Sequence, residues 1–158
     1  MTPPPTQSAA TDAASPGEPI FLRIERDFDA PREMVFRAWT DPDHLAKWWG
    51  PEGMTASHVD LDPRVGGRYR CSMVEPDGTE HWVQGTYREV VEPERLVFSW
   101  AWETDGQPGL ETQVTLEFHE TDGGTRLVVI HEGFETEESR DQHRFGWSSS
   151  LDCLAKTL

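Results

Sequence analysis

The feature that most constrains this fold is a series of short segments between residues 58 and 132 in which apolar and polar residues alternate. Tight turns separate these segments at Gly66-Gly67, Pro76-Asp77-Gly78, Pro93-Glu94-Arg95 and Asp122-Gly123-Gly124, and a loose loop is expected at residues 105–109. Alternation with a period of two is typical of half-buried strands, and no helix-length segment separates them. The pattern therefore predicts an antiparallel meander and excludes a parallel sheet with helical crossovers.

The alternation also predicts which side chains face the core. The inward set is Val59 and Leu61, then Tyr69, Cys71 and Met73, then Val83, Gly85 and Tyr87, then Leu96, Phe98, Trp100 and Trp102, then Val114, Leu116 and Phe118, and finally Leu127, Val129 and His131. A bulge near Gly85 would shift its neighbours to the opposite face.

Helical signals flank the meander. A first strand from Ile20 to about Phe28 precedes a helix that opens at Ala30-Pro31. At the other end, Thr136 is a suitable N-cap for a helix predicted over residues 136–158. Its apolar stripe comprises Trp147, Leu151, Leu154 and Leu158. The predicted fold is α+β, in the order β-α-α-β(meander)-α, with the long terminal helix covering the sheet.

The segment from Thr40 to Pro51 combines a helix start, two adjacent tryptophans and a helix stop. Asp41 is suited to cap this short helix, and Gly50 permits a left-handed exit that Pro51 follows. Neighbouring helical side chains diverge, so Trp48 and Trp49 are not expected to enter one core together. Two interpretations stay open at this point, a lid over the core and the mouth of a cavity.

The 158 residues suit one domain, predicted at residues 20–158. Residues 1–19 are rich in Pro, Ala, Ser and Thr and predict a disordered tail without the pattern of a secretory signal. Cys71 and Cys153 lack metal-type spacing and are expected to be free thiols, which favours the cytoplasm.

The formal net charge is −15, from 29 acidic and 14 scattered basic residues. Nucleic acids and anionic membrane surfaces both require clustered Lys and Arg, so neither is an expected partner. The longest apolar runs are also too short to span a bilayer.

Catalytic and metal-binding motifs are not evident in the sequence. The six histidines show no HxH, HxxxH or HExxH spacing, and strand alternation directs Glu132 away from His131. The serines at 148–150 lack a nucleophile elbow, and Cys71 is expected to be a packed thiol. We therefore predict no metal, no cofactor and no assigned catalytic residue. Only His131 and His143 are expected to converge.

The order and spacing of these motifs resemble the START-like helix-grip (SRPBCC) superfamily, in the branch named after the activator of the heat-shock-protein-90 ATPase. The residues that carry the resemblance are Ala30-Pro31, Val35, Ala38-Trp39-Thr40, Asp41-Pro42, Trp48-Trp49-Gly50-Pro51, Gly66-Gly67, Pro76-Asp77-Gly78, Gly85, Pro93-Glu94-Arg95-Leu96, Thr125-Arg126-Leu127, His131-Glu132-Gly133-Phe134, His143, Gly146-Trp147, Leu151 and Leu154. The resemblance implies a curved sheet gripping the terminal helix around a cavity. Members of the superfamily bind apolar or amphipathic small molecules there, and a few act as cyclases or hydrolases.

The leading hypothesis is therefore a protein that binds an apolar or amphipathic small molecule between sheet and helix. Its predicted ligand-binding residues comprise a gate, a lining and a roof: Trp48, Trp49 and Met54; Tyr69, Met73, Phe98, Trp100 and Leu116; and His131, His143 and Trp147. The histidines are interpreted either as hydrogen-bonded core groups or as ligand-orienting or acid–base groups. An enzyme using one of them as general base is a second hypothesis. A third is a co-chaperone or protein-interaction module acting on a chaperone or regulator. Val128 and Ile130, predicted to face outward, could belong to such a surface or equally mark a homodimer interface.

Overall fold

The computed structural model describes residues 19–158, so the predicted tail lies, apart from its last residue, outside the described range. The elements are β1 (Phe21–Phe28), α1 (Arg32–Thr40), α2 (Pro42–Trp48), β2 (Val59–Leu61), β3 (Arg68–Val74), β4 (Glu80–Val91), β5 (Arg95–Thr104), β6 (Gln107–Pro108), β7 (Thr112–Thr121), β8 (Gly124–Glu132) and α3 (Glu137–Ala155). No helix among these residues is long and apolar enough to cross a membrane.

The strands form one antiparallel sheet in the order β1-β8-β7-β5-β4-β3-β2, and the short β6 pairs with β5. The sheet is curved around α3, which confirms the predicted α+β helix-grip fold. Fully buried side chains from β1, β7, β8 and α3 form the centre of the core, namely Leu22, Val114, Leu116, Leu127, Val129, Leu151 and Leu154.

The middle of β4 shows why a glycine stands on the inward face. A β-carbon at Gly85 would lie 1.9 Å from the carbonyl oxygen of Ser99 and 2.5 Å from the Tyr69 ring. The Tyr69 hydroxyl donates a 2.6 Å hydrogen bond to that same carbonyl. Only glycine leaves room for this close approach. The expected bulge lies slightly further on, between Tyr87 and Glu89, so Val83, Gly85 and Tyr87 keep their inward faces.

The two short helices are positioned by the predicted local signals. The Asp41 carboxylate accepts a hydrogen bond from the Asp43 backbone N–H, and Pro42 occupies the first turn of α2. Gly50 then adopts φ +95°, a left-handed conformation that turns the chain away from the helix. The chain consequently passes directly from Trp49 into the segment that packs against α3.

Helix α3 begins as predicted and ends earlier. The Thr136 hydroxyl accepts a hydrogen bond from the Ser139 backbone N–H, while the helix stops at Ala155 rather than at Leu158. The Thr157 hydroxyl donates to the carbonyl of Leu154 and so binds one of the last free helix carbonyls. Leu158 still packs against the core from the non-helical end.

A hairpin replaces the loose loop expected after β5. Asp105 and Gly106 have φ values of +53° and +77°, and Thr104 pairs directly with Gln107 across them. Two residues with positive φ between paired strands form a type I′ turn, for which Asp-Gly is a preferred sequence. β2 is also shorter than expected and spans only Val59–Leu61.

The outer face of the sheet is covered by ion pairs. Arg126 pairs with Asp27 at 2.9 Å, and Arg95 pairs with Glu117 at 3.2 Å. Val128 lies on this face between strands β1 and β7 and is nevertheless only 2% exposed. Long arginine side chains on such a face are able to cover neighbouring apolar residues with their stems. A homodimer formed through this face remains a prediction.

Candidate functional site

A pocket of about 290 Å³ opens at one end of the space between the sheet and α3. Three parts of the chain form its walls. The sheet contributes Met73, His81, Trp100 and Trp102; the segment after α2 contributes Trp49, Gly50, Pro51 and Met54; and α3 contributes Gln142, His143, Gly146, Trp147 and Ser150. The α3 residues fall at spacings of three and four along the helix, so a single helix face borders the pocket.

Trp100 is the centre of the aromatic wall. Its ring centroid lies 5.8 Å from that of Trp49, 5.5 Å from that of Trp102 and 5.2 Å from that of Trp147. The interplanar angles are 52°, 89° and 47°, so the rings do not form a flat stack. Rings at these separations are in direct contact, in the inclined arrangements that aromatic pairs prefer, so each ring helps to hold its neighbours in place.

His131 lies behind this wall, fully buried, with both ring nitrogens bonded. The Trp147 indole Nε1–H donates to its Nδ1 at 3.0 Å, and its Nε2 lies 2.7 Å from the Thr112 hydroxyl oxygen. An indole N–H only donates, so Nδ1 carries no proton and Nε2 carries one. The Thr112 hydroxyl accepts from Nε2 and donates its own proton to the carbonyl of Trp100.

His143 on α3 has the opposite tautomer for the same reason. The Trp102 indole Nε1–H donates to His143 Nε2 at 2.9 Å, so the proton is on Nδ1. Nδ1–H donates to the carbonyl of Ser139 at 2.8 Å. The structure brings the two histidines together, with ring centroids 5.1 Å apart.

The surroundings hold both imidazoles neutral. Burial lowers the pKa of His131 well below its usual range, and the adjacent His143 lowers it further. Burial also lowers the pKa of His143, against an opposing contribution from the bond to Ser139. Protonation would place an N–H of each ring against an indole N–H. With both nitrogens of each ring bonded to protein, these histidines position the tryptophans rather than offering a free base.

The four indole N–H groups of the wall are all withdrawn from the pocket. Those of Trp102 and Trp147 donate to the histidines, as described above. Those of Trp49 and Trp100 are covered by protein and find no acceptor among residues 19–158. A buried donor without an acceptor lowers the stability of a fold by about 1–3 kcal/mol, so burial of these two N–H groups is unfavourable. The pocket therefore meets mainly ring carbon.

The rim is more polar than the interior. His81 Nε2 hydrogen-bonds to the Glu75 carboxylate at 2.5 Å, and both side chains are more than a third exposed. Gln142 lines the same opening from α3. No group of three or more His, Cys, Asp or Glu side chains in the described part of the chain is arranged to hold a metal ion.

Six of the eleven predicted ligand-binding residues border this pocket: Trp49, Met54, Met73, Trp100, His143 and Trp147. The other five lie elsewhere. Trp48 packs into the core and donates to the carbonyl of Ala38, Leu116 is fully buried, and His131 lies behind the wall. Tyr69 and Phe98 border a separate space of about 20 Å³, which is about the size of one water molecule.

The expectation that the tandem tryptophans would not enter one core together is wrong: Trp48 and Trp49 are 2% and 5% exposed, and their ring centroids lie 6.0 Å apart. Trp48 closes the core, with its ring 4.6 Å from that of Trp39, while Trp49 forms a wall of the pocket. Both can be buried because α2 ends at Trp48, and Trp49 follows it in an extended conformation with φ −62° and ψ 128°.

Several pocket residues were not among the predicted ones, and sequence signals existed for most of them. The alternation of side chains places Trp102 on the inward face of β5 and His81 on the inward face of β4. Gln142, Gly146 and Ser150 share the helix face of His143 and Trp147. Gly50 and Pro51 had been assigned only to the end of the helix. Helical spacing and strand parity therefore identified the correct faces without showing which end was open.

Comparison with known proteins gives the family. The profile of the activator of Hsp90 ATPase homolog 1-like protein family matches residues 29–158. The chain belongs to this family. This confirms the resemblance noted in the sequence.

Solved structures of two bacterial proteins are similar to this chain over most of their length. The crystal structure of an AHSA1 protein from Silicibacter pomeroyi is 34% identical with a TM-score of 0.80, covering 86% of this chain and 95% of that one. A protein from Chromobacterium violaceum is 30% identical with a TM-score of 0.79, covering 89% and 98% respectively. No curated protein matches this chain.

Proposed function

We propose that this protein binds an apolar or amphipathic small molecule in the pocket between sheet and α3. The observation that carries the proposal is the open space of about 290 Å³ that is lined by four inclined tryptophans. Ligand pockets typically range from about 300 to 1,000 Å³ and combine apolar walls with a few polar groups. This pocket lies at the small end of that range.

The distribution of polar groups favours a ligand with one apolar and one polar end. The interior presents Met73, Trp100 and Trp147, whereas His81 and Gln142 lie at the border. A ligand with its apolar part in the pocket, against these rings, would keep a polar group near the His81–Glu75 pair. The family and fold support ligand binding in general, and the pocket supports this particular location.

The cytoplasm remains our proposed location. Cys71 and Cys153 are both free, and burial raises the pKa of the Cys71 thiol to about 12. A thiol with so high a pKa is inert as a nucleophile at neutral pH. Two free cysteines are consistent with a reducing compartment.

A fluorescent neutral probe tests the binding proposal directly. N-phenyl-1-naphthylamine should bind saturably, accept energy from the tryptophans of the wall, and raise the melting temperature in proportion to occupancy. The matched variants are at Gly146, where a β-carbon would meet only the Pro51 ring at 3.9 Å. Gly146→Leu places a side chain in the pocket, whereas Gly146→Ala adds one methyl group.

Both substitutions favour the helix, because glycine is about 1 kcal/mol worse than alanine in a helix interior. We therefore expect both variants to fold, with Gly146→Ala binding the probe and Gly146→Leu losing at least tenfold in affinity. Equal affinity of the two variants would place the binding site outside this pocket. Failure of the wild-type protein to bind the probe or any member of a panel of neutral and amphipathic metabolites would refute the proposed function.

A further inference from the structure

The charge of the pocket walls restricts the ligand. Within the described chain, no Lys, Arg, Asp or Glu side chain lines the pocket. The two titratable lining groups are His81 and His143, and His143 is kept neutral by burial and by the Trp102 indole N–H, which occupies its Nε2. A carboxylate or phosphate entering this space would lose its hydration without meeting an opposite charge, which is costly.

The hydrogen-bonding state of the wall points in the same direction. Indole N–H groups are the usual means by which tryptophan attracts an anion or a carbonyl oxygen. Here Trp102 and Trp147 donate theirs to histidines, and those of Trp49 and Trp100 are covered. Because the donors are withdrawn, the wall attracts ligands through its π-electron surface.

A π-electron surface carries negative potential at the ring face and attracts cations, most strongly in tryptophan. Trp49, Trp102 and Trp147 pack around Trp100 with ring centroids within 5.8 Å of it, and all four residues line the pocket. The polarizable sulfurs of Met54 and Met73 complete the lining. Such an aromatic enclosure is an effective binding site for alkylated ammonium groups.

The charge outside the pocket also favours a cationic ligand. The chain carries a net charge of −15, which attracts cations at long range. At the rim, Glu75 is bonded to the lining residue His81, so a carboxylate lies beside the opening. A primary ammonium would need several acceptors inside. The lining offers few, mainly Gln142 and Ser150, which favours an ammonium whose charge is shielded by methyl groups.

We propose that the pocket selects a cationic ligand bearing a trimethylammonium or similar alkylated ammonium group over neutral and anionic ligands of the same shape. This inference rests on the proposed function and adds the charge of the ligand to it. The ammonium group lies in the pocket, against the rings of Trp49, Trp100, Trp102 and Trp147, and the remainder of the molecule extends toward His81.

Three probes with one shape and different charges test the proposal. Choline is the cation, 3,3-dimethylbutan-1-ol is its neutral carbon analogue, and 3,3-dimethylbutanoate is the anion. Each is titrated into the full chain at constant ionic strength, with binding measured by calorimetry and by displacement of N-phenyl-1-naphthylamine. A desolvated cation–π contact corresponds to about tenfold or more in affinity, so choline should bind at least tenfold more tightly than the alcohol. The butanoate should not bind measurably.

Variants of Trp102 test whether the preference for a cation comes from the aromatic wall, and a variant of Trp82 serves as the control. Trp102→Leu removes a wall ring, and we expect it to weaken choline severalfold more than the alcohol. Trp102→Phe keeps an aromatic face and should retain part of the preference. The control is Trp82→Leu on the opposite face of the sheet, where Trp82 lies 4.0 Å beneath the Arg70 guanidinium. This control should change the affinity of neither probe.

The outcomes separate the two proposals. Equal or tighter binding of the alcohol, with N-phenyl-1-naphthylamine still bound, overturns the preference for cations and leaves the proposed function in place. Tightest binding of the butanoate also overturns that preference. If only the neutral fluorescent probe binds, the preference is likewise wrong. If no probe binds at all, both proposals fail.

Discussion

At the residue scale, the two buried histidines are defined by their tryptophan partners. Because an indole N–H can only donate, Trp147 fixes the tautomer of His131 and Trp102 fixes that of His143. Each imidazole links a pocket-wall tryptophan to the backbone or to Thr112, and this holds the rings at their observed inclinations. The same bonds make protonation of either ring unfavourable.

This arrangement predicts a loss of stability in mild acid. The pKa of His131 is lowered well below 6.5 in the folded protein. At pH values between the folded and unfolded pKa of this residue, the unfolded chain therefore binds a proton that the folded chain does not. The stabilisation is complete above pH 6.5 and decreases as the pH falls below it. Urea unfolding at pH 7.5, 6.5 and 5.5 should show a progressively smaller free energy of unfolding, with His143 contributing in the same direction.

His131→Gln provides the comparison for that measurement. The amide keeps one acceptor for Trp147 and one donor for Thr112 while removing the titrating group. The variant should be less stable than wild type at pH 7.5, and the difference should shrink by pH 5.5. A constant difference across this range would show that His131 does not contribute to the pH dependence.

Residue-level prediction from sequence succeeded for the face of each side chain and less well for its depth. Strand alternation placed Tyr69, Phe98 and Trp100 together on the inward face, yet only Trp100 borders the larger pocket. Parity specifies one of two faces, whereas the position of the opening depends on how the curved sheet and α3 diverge. That divergence arises from long-range packing and has no local sequence signal.

At the element scale, helix α3 depends on its N-cap residue, Thr136. The Thr136 hydroxyl accepts from the Ser139 backbone N–H at 3.0 Å and satisfies one of the free donors of the first turn. Thr136→Ala should lower the free energy of unfolding by about 1 kcal/mol, measured by urea denaturation. Thr136→Ser keeps the hydroxyl and should remain close to wild type. Equal losses in the two variants would attribute the effect to the lost methyl group rather than to the cap.

Elements with strong local signals were predicted well from the sequence. The caps Asp41 and Thr136 marked helix starts correctly, because capping is a local hydrogen bond between neighbouring residues. The Asp105-Gly106 hairpin also carried a local signal and was nevertheless expected to be a loose loop. The end of α3 at Ala155 was missed because apolar spacing continues to Leu158 after the backbone leaves the helix.

At the scale of the whole molecule, acidic residues outnumber basic ones by 15, and most of this surplus lies within the described residues 19–158. Basic side chains of the sheet's outer face are occupied in pairs, such as Arg70 with Glu103 at 2.7 Å. Glu103 is only 3% exposed in this pair, whereas exposed pairs such as Arg126 with Asp27 contribute little to stability. The surplus carboxylates repel one another in the folded state more than in the expanded unfolded chain.

Screening this repulsion should therefore stabilise the protein. The Debye length falls from about 30 Å at 0.01 M salt to about 10 Å at 0.1 M, which weakens long-range repulsion more than it weakens close pairs. At pH 7.5, raising NaCl from about 0.01 M to 0.2 M should increase the melting temperature by roughly 2–4 °C, as expected for about 1 kcal/mol in a domain of this size. The control is the same titration near pH 4.6, where the formal net charge is close to zero and the increase should disappear. A decrease at pH 7.5 would show instead that close ion pairs such as Arg70–Glu103 outweigh the general repulsion.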